Sequence, residues 1–220
     1  MGQEGQEQER ADYLMLADWR RRVAVLYAEV RELAVSDPAA AWQHWRDERE
    51  RLYREHPQSP VPAPDRPAFR ALHFPYDPAL RFEVPVAPDD AAEAGGATAS
   101  FAISTSTGGT MDFGRIGWVT VPFPAGERRL ALHWLEGYAG GLYLCFRDAT
   151  GGAETYGAGR YLLDAAKSAD LGGDPGRGTL ILDFNFAYQP SCAFDPRWAC
   201  PLAPPENRLD LPIRAGERIA

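Results

Sequence analysis

From residue 68 onward the chain is a succession of short runs: FRALHFP, LRFEVPV, TASFAIST, RIGWVTV, RLALHWLE, GLYLCFRD, GTLILDFNFAY and RLDLPIRAGE. They are rich in β-branched and aromatic residues and are parted by Gly, Pro and Asp clusters. Such residues fit a pleated, half-buried surface, and the separators favour turns. Eight or so strands at this spacing, without helices between them, exclude alternating βαβ units. They predict an antiparallel β-barrel or sandwich. Alternation then assigns faces. Leu142, Leu144 and Phe146 share one side of their strand, and Tyr143, Cys145 and Arg147 share the other. In the run LDFNFAY, Asp183 and Asn185 oppose Leu182, Phe184, Phe186 and Tyr188. If ETYGAGRY is extended, Glu154, Tyr156 and Arg160 point the same way.

The N-terminal quarter has a different period. Leu16, Trp19, Val23, Leu26, Tyr27 and Val30 each have another of the set three or four residues away and make one apolar helical stripe. Asp37 followed by Pro38 opens a second helix to about residue 56, because Pro needs no N–H partner at a first helical position. The expected organisation is a disordered polar tail over 1–11, a helical segment over 12–56, a Pro-rich linker over 57–67 and an antiparallel β domain over 68–220. The fold class is mainly β (α+β), with two N-terminal helices packed on the sheet.

A net charge of −8 argues against a nucleic-acid partner, which would need a basic stripe for phosphates. It also disfavours an anionic membrane surface. No run approaches 18 apolar residues, and MGQEGQEQER has no basic-then-apolar leader. A cytoplasmic protein is expected. Three cysteines, Cys145, Cys192 and Cys200, do not suggest a disulfide framework in that compartment. Seven residues separate Cys192 from Cys200, and the four histidines lie far upstream. A zinc clasp normally uses shorter spacing. A short-loop disulfide is geometrically open, and free buried thiols are the reading that the compartment favours. No metal or cofactor is expected.

The blocks FRDATGGAETYGAGRYL and DFNFAYQPSCAFDPRWACPLAPPENRLDLPIRAGE resemble the bacterial and archaeal family of domain of unknown function 1684 (DUF1684). WRDERERLYREHPQSPVP and FRALHFPYDPALRF resemble its N-terminal part, so the likeness runs from about Trp19 to Glu217. The resemblance implies no activity, only that Glu154, Tyr156, Gly159, Arg160, Asp183, Asn185, Cys192, Cys200, Glu206 and Asn207 lie in signature blocks.

The polar residues of these blocks supply the candidate site: Tyr156, Arg160, Asp183 and Asn185, with Arg147, Glu154, Glu206 and Asn207 around them. A guanidinium can hold an anionic ligand or pair bidentately with a carboxylate. Asp148, Glu154, Asp183 and Glu206 could supply acid–base chemistry if two of them converge. Three functions stand at this level. They are a β-barrel binding a small, possibly anionic, molecule; a hydrolase or lyase with a carboxylate base and an Arg160 clamp; and a non-catalytic interaction module.

Overall fold

One strand, β1 (Arg81–Pro88), joins the two arms of a single antiparallel sheet. Its first half, residues 81–85, pairs with β8 (Thr179–Asp183), and residues 86–88 pair with β3 (Thr110–Phe123). The other strands are β2 (Ser100–Ser104), β4 (Gly126–Leu135), β5 (Gly141–Phe146), β6 (Arg160–Asp164) and β7 (Gly173–Asp174). The order is β6-β5-β4-β3-β1-β8-β7, with β2 also on β3. Among the described residues β6 and β7 end the order without pairing to each other, so the sheet is a half-barrel rather than a closed barrel. The computed structural model describes residues 3–89, 100–138 and 140–219. Close approach at the corner needs Gly117, where a Cβ would stand 2.3 Å from the Ala87 carbonyl oxygen. The β3–β4 register shifts beside it, between Arg115 and Gly117.

Residues Met1–Arg70 and Ala71–Ala220 form separate units. In the first, α1 (Gln3–Leu33) and α2 (Pro38–Glu55) bury Leu26, Tyr27, Val30, Trp42, Trp45 and Tyr53. Asp37 caps α2 by accepting from the Ala40 N–H at 2.9 Å. The helix starts at Gln3, which corrects the expectation of a disordered tail through residue 11. Glu and Gln dominate this stretch, and both are good helix formers despite being polar. No helix among the described residues is long and apolar enough to cross a membrane.

The β unit buries both faces of its sheet. On one, Val84, Val119, Val121, Leu130, Leu132, Leu144, Phe146, Leu182 and Phe184 form the main core. On the other, Phe113 lies tilted against Tyr143 (ring centroids 4.8 Å apart), and Tyr143 meets Tyr161 (5.2 Å) and Tyr161 meets Tyr188 (5.8 Å) edge to face. This is the division that alternation predicts for β5.

Irregular chain closes both faces. Residues 190–207 cross the aromatic face. Pro201 bridges to Thr105, Leu202 N–H donates to the Ser104 carbonyl, and the Tyr143 and Tyr161 hydroxyls both donate to the Pro201 carbonyl at 3.2 and 2.8 Å. Residues 208–217 then cover the main core with Leu209, Leu211, Ile213 and Ala215, alternating with exposed neighbours as a strand would. The expected last strand is nevertheless absent. The segment makes only isolated bridges, Arg208 to Arg147 and Glu217 to His73, and Pro212 has no N–H to give a ladder. FRALHFP likewise makes only a single bridge, His73 to Glu217.

Side chains replace the missing ladder. Arg160, 1% exposed, donates through Nη2 to the Ile213 carbonyl at 2.8 Å and through Nη1 to the carbonyls of Ala215 and Glu217. It pairs with Asp148 at 3.3 Å. Asp148 in turn accepts from the Ile213 N–H at 2.6 Å and the Thr150 hydroxyl at 2.8 Å. Asn207 does the same between strands. The β4–β5 ladder runs Leu135↔Gly141, Trp134↔Leu142, His133↔Tyr143 and stops. Where Ala131 and Cys145 would pair next, the Asn207 amide intervenes. It accepts from Ala131 N–H at 2.7 Å and donates to the carbonyls of Ala131 (3.0 Å) and Cys145 (2.9 Å).

Two outcomes follow for thermal or chemical melts. Asn207→Ala orphans three buried backbone groups and should destabilise by about 3 kcal/mol, near 1 kcal/mol per bond lost. Arg160→Met should cost roughly 3–5 kcal/mol, because it strands Asp148 and three carbonyls. In double-mutant cycles Arg160→Met should couple strongly with Asp148→Asn and add independently to Asp183→Asn.

Candidate functional site

The residues singled out from sequence do not converge on one site. Arg160 has Asp148 and the C-terminal carbonyls as partners, not Asp183. Asp183 receives Arg81 at 3.3 Å and both the backbone and amide N–H groups of Asn185, at 3.0 and 2.8 Å. Asn185 spends the rest of its amide on the backbone of Asp77, giving to its carbonyl and taking from its N–H, each at 2.8 Å. The expected extended run 182–188 therefore breaks. Asp183 caps a single 3-10 turn, Phe184–Phe186, as short acidic side chains do when they bond the backbone two residues on. Run 154–160 is not extended either. Glu154 and Thr155 N–H groups turn back to the Thr150 carbonyl, and β6 begins only at Arg160. Glu154 points outward into a bidentate pair with Arg214. Arg147 is exposed, and its backbone holds Asn207 and Leu209.

Two groups of residues carry chemistry beyond this framework, and both lie where residues 190–207 cover the aromatic face. The first is centred on His133 of β4. The side chain is fully buried, and neither ring nitrogen has a hydrogen-bond partner. Phe101 meets the ring edge-on at 5.3 Å and Phe113 at 6.4 Å. Glu206 Oε1 stands 3.9 Å from Nε2, too far for a bond, and 4.0 Å from Arg115 Nη1. Arg115 is itself bonded to the buried Asp89 at 3.1 Å. Burial holds the His133 pKa down at about 4, against an upward pull from Glu206. The ring is neutral at pH 7, with one nitrogen a donor and the other an acceptor.

The second group joins Tyr156 to the two C-terminal cysteines. The Tyr156 hydroxyl reaches the Cys192 carbonyl at 3.5 Å and Cys192 Sγ at 3.8 Å. Cys200 Sγ accepts from the Cys192 N–H at 3.3 Å. All three cysteines are free. Among the described residues no three His, Cys, Asp or Glu side chains cluster as a metal site.

Of the residues in these two groups, the candidates read from the sequence include Glu206 and Tyr156 but not His133 or Arg115. His133 sits inside the apolar run RLALHWLE, and only its outward register, opposite that of Leu130 and Leu132, distinguishes it.

No curated protein matches the chain. It is similar to an uncharacterized protein from Haloarcula marismortui with a solution NMR structure. Identity is 31%, the TM-score is 0.56, and the match covers 80% of this chain and 91% of that one. The family model described as "Protein of unknown function (DUF1684)" matches residues 68–218, so the likeness read over residues 19–67 lies outside that match. The chain belongs to the DUF1684 family.

Proposed function

We propose that the β unit binds a small neutral polar molecule at His133, with Glu206 and Arg115 at the rim. The observation that carries this reading is His133 itself. A fully buried imidazole with two unmade hydrogen bonds costs about 1–3 kcal/mol. A ligand that supplies one donor and one acceptor offsets that cost. Phe101 and Phe113 give it apolar walls, while Glu206 and Arg115, each partly exposed, connect the position to solvent. A hydroxyl- or amide-bearing molecule suits a neutral imidazole. An anion is disfavoured beside Glu206, and Arg115 is already engaged by Asp89. The anionic ligand and the hydrolase or lyase both relied on Arg160 as a clamp. Its Nη groups serve protein carbonyls and Asp148, so neither reading has an observation in its favour.

Native mass spectrometry of gently purified protein should show a retained small molecule that His133→Leu loses. Stripped of ligand, His133→Leu should melt higher than the natural chain, since it removes two unmade bonds. A bare natural chain, unmoved in melts against a panel of neutral hydroxyl and amide compounds, would sink the proposal; so would a lower melt for His133→Leu.

The same histidine sets a pH dependence. Its folded pKa of about 4 lies below the 6.5 of an exposed imidazole, so between these values the unfolded chain binds the proton and the folded one does not. The natural chain should lose roughly 3 kcal/mol relative to His133→Leu as pH falls from 6.5 to 4, with none of that difference above 6.5. Paired denaturant melts across this range measure it.

A further inference from the structure

The loop from Cys192 to Cys200 brings two thiols together at the edge of the segment that covers the aromatic face. Cys200 Sγ lies 3.3 Å from the Cys192 N–H, and the Cys200 N–H donates to Ser106 Oγ at 3.1 Å. The Tyr156 hydroxyl stands 3.8 Å from Cys192 Sγ. Ser106, Tyr156 and Cys200 come from three separate parts of the β unit and meet at this loop. Both cysteines are nearly buried, at 8% and 5%. Ala193, Phe194 and Asp195 between them are half-buried, and Pro196 and Arg197 are exposed. A small oxidant has one shell of surface residues to pass.

We propose that Cys192 and Cys200 form a peroxide-reactive dithiol site, with Cys192 as the attacking sulfur and Cys200 as the resolving one. The Cys192 thiolate attacks one oxygen of hydrogen peroxide, the O–O bond breaks and hydroxide leaves, giving Cys192 sulfenic acid. The Cys200 sulfur then attacks the sulfenic sulfur, and its proton leaves with the departing hydroxyl as water. One peroxide is reduced to two waters as two thiols become one disulfide, and a dithiol reductant returns the pair to its starting state.

The order of roles follows from the surroundings. The neighbouring Cys200 side chain, with Ser106 and the Tyr156 hydroxyl adding to it, holds the Cys192 thiol well below the ordinary value against the effect of burial, and the Cys192 side chain in turn pushes Cys200 up. The thiolate is the nucleophile, so the reactive sulfur is Cys192. Cys145 has the opposite environment: burial pushes its thiol up to about 12, which makes it an internal control. The disulfide closes a loop that ends beside Pro201, whose carbonyl receives Tyr143 and Tyr161. Oxidation therefore ties the covering segment at the point where it crosses the aromatic face.

Reduced, desalted full-length protein is treated with stoichiometric hydrogen peroxide and followed by intact mass and peptide mapping. The expected product has lost two hydrogens, carries a Cys192–Cys200 link and regains both thiols with dithiothreitol. Cys192 should be consumed at least about tenfold faster than Cys145. Cys200→Ser should accumulate a sulfenic acid at Cys192 that dimedone traps, and Cys192→Ser should give no such adduct at Cys200. Equal rates at Cys192 and Cys145 would overturn the proposal. So would Cys192 passing to sulfinic acid while Cys200 stays reduced, or no reaction at peroxide levels that oxidise free cysteine in the same tube. Peptide mapping of the natural chain decides between these outcomes even if a serine variant fails to fold.

Discussion

An extended chain segment that has no strand to pair with must find other partners for its backbone, and here one guanidinium supplies them. Arg160 stands at the first position of β6 and binds the carbonyls of Ile213, Ala215 and Glu217, with Asp148 balancing its charge. All three residues are buried, so their carbonyls need a donor from the protein itself. The alternating apolar residues of 208–217 can enter the core only because the polar half of the same segment is satisfied in this way. The half-barrel depends on this bond set, since among the described residues its sheet does not close on itself.

Asn207 and the Asp183–Asn185 pair extend the same device. Each amide stands in for a strand segment, offering one donor side and one acceptor side to a backbone that has left its ladder. Charged and amide groups buried in this manner are costly unless every bond is made, and these are made. His133 differs in kind. It is buried as deeply as Asn207, yet neither of its nitrogens is bonded. Arg160 Nε, Trp118 Nε1 and Trp198 Nε1 are also buried without a bond, one nitrogen each; His133 leaves both of its nitrogens unbonded, and the proposed ligand rests on that difference.

The covering segment 190–207 links the two groups with chemistry to offer. Its beginning carries Cys192, its middle carries Cys200 and Pro201, and its end carries Glu206 and Asn207. The proposed redox chemistry and ligand binding nevertheless stand on different atoms and are tested by different measurements.

Much of the fold was legible in the residues. Strand positions followed from short β-branched and aromatic runs, the second helix from Asp37 and Pro38, and the two faces of β5 from alternation, because these are local properties of neighbouring side chains. Local reasoning erred where a distant partner decides. Gln3 to Arg10 joins a helix because Glu and Gln favour one, and 208–217 is no strand because its partners are the side chains of Asp148 and Arg160. The sequence also marked the signature polar residues without saying what each one meets. Arg160 and Asp183 invite pairing on paper, but only the folded sheet places Asp148 beside one and Arg81 beside the other. His133 was hidden for the same reason: whether a histidine in an apolar strand is satisfied depends on what the opposite chain brings to it, and that is a property of three dimensions.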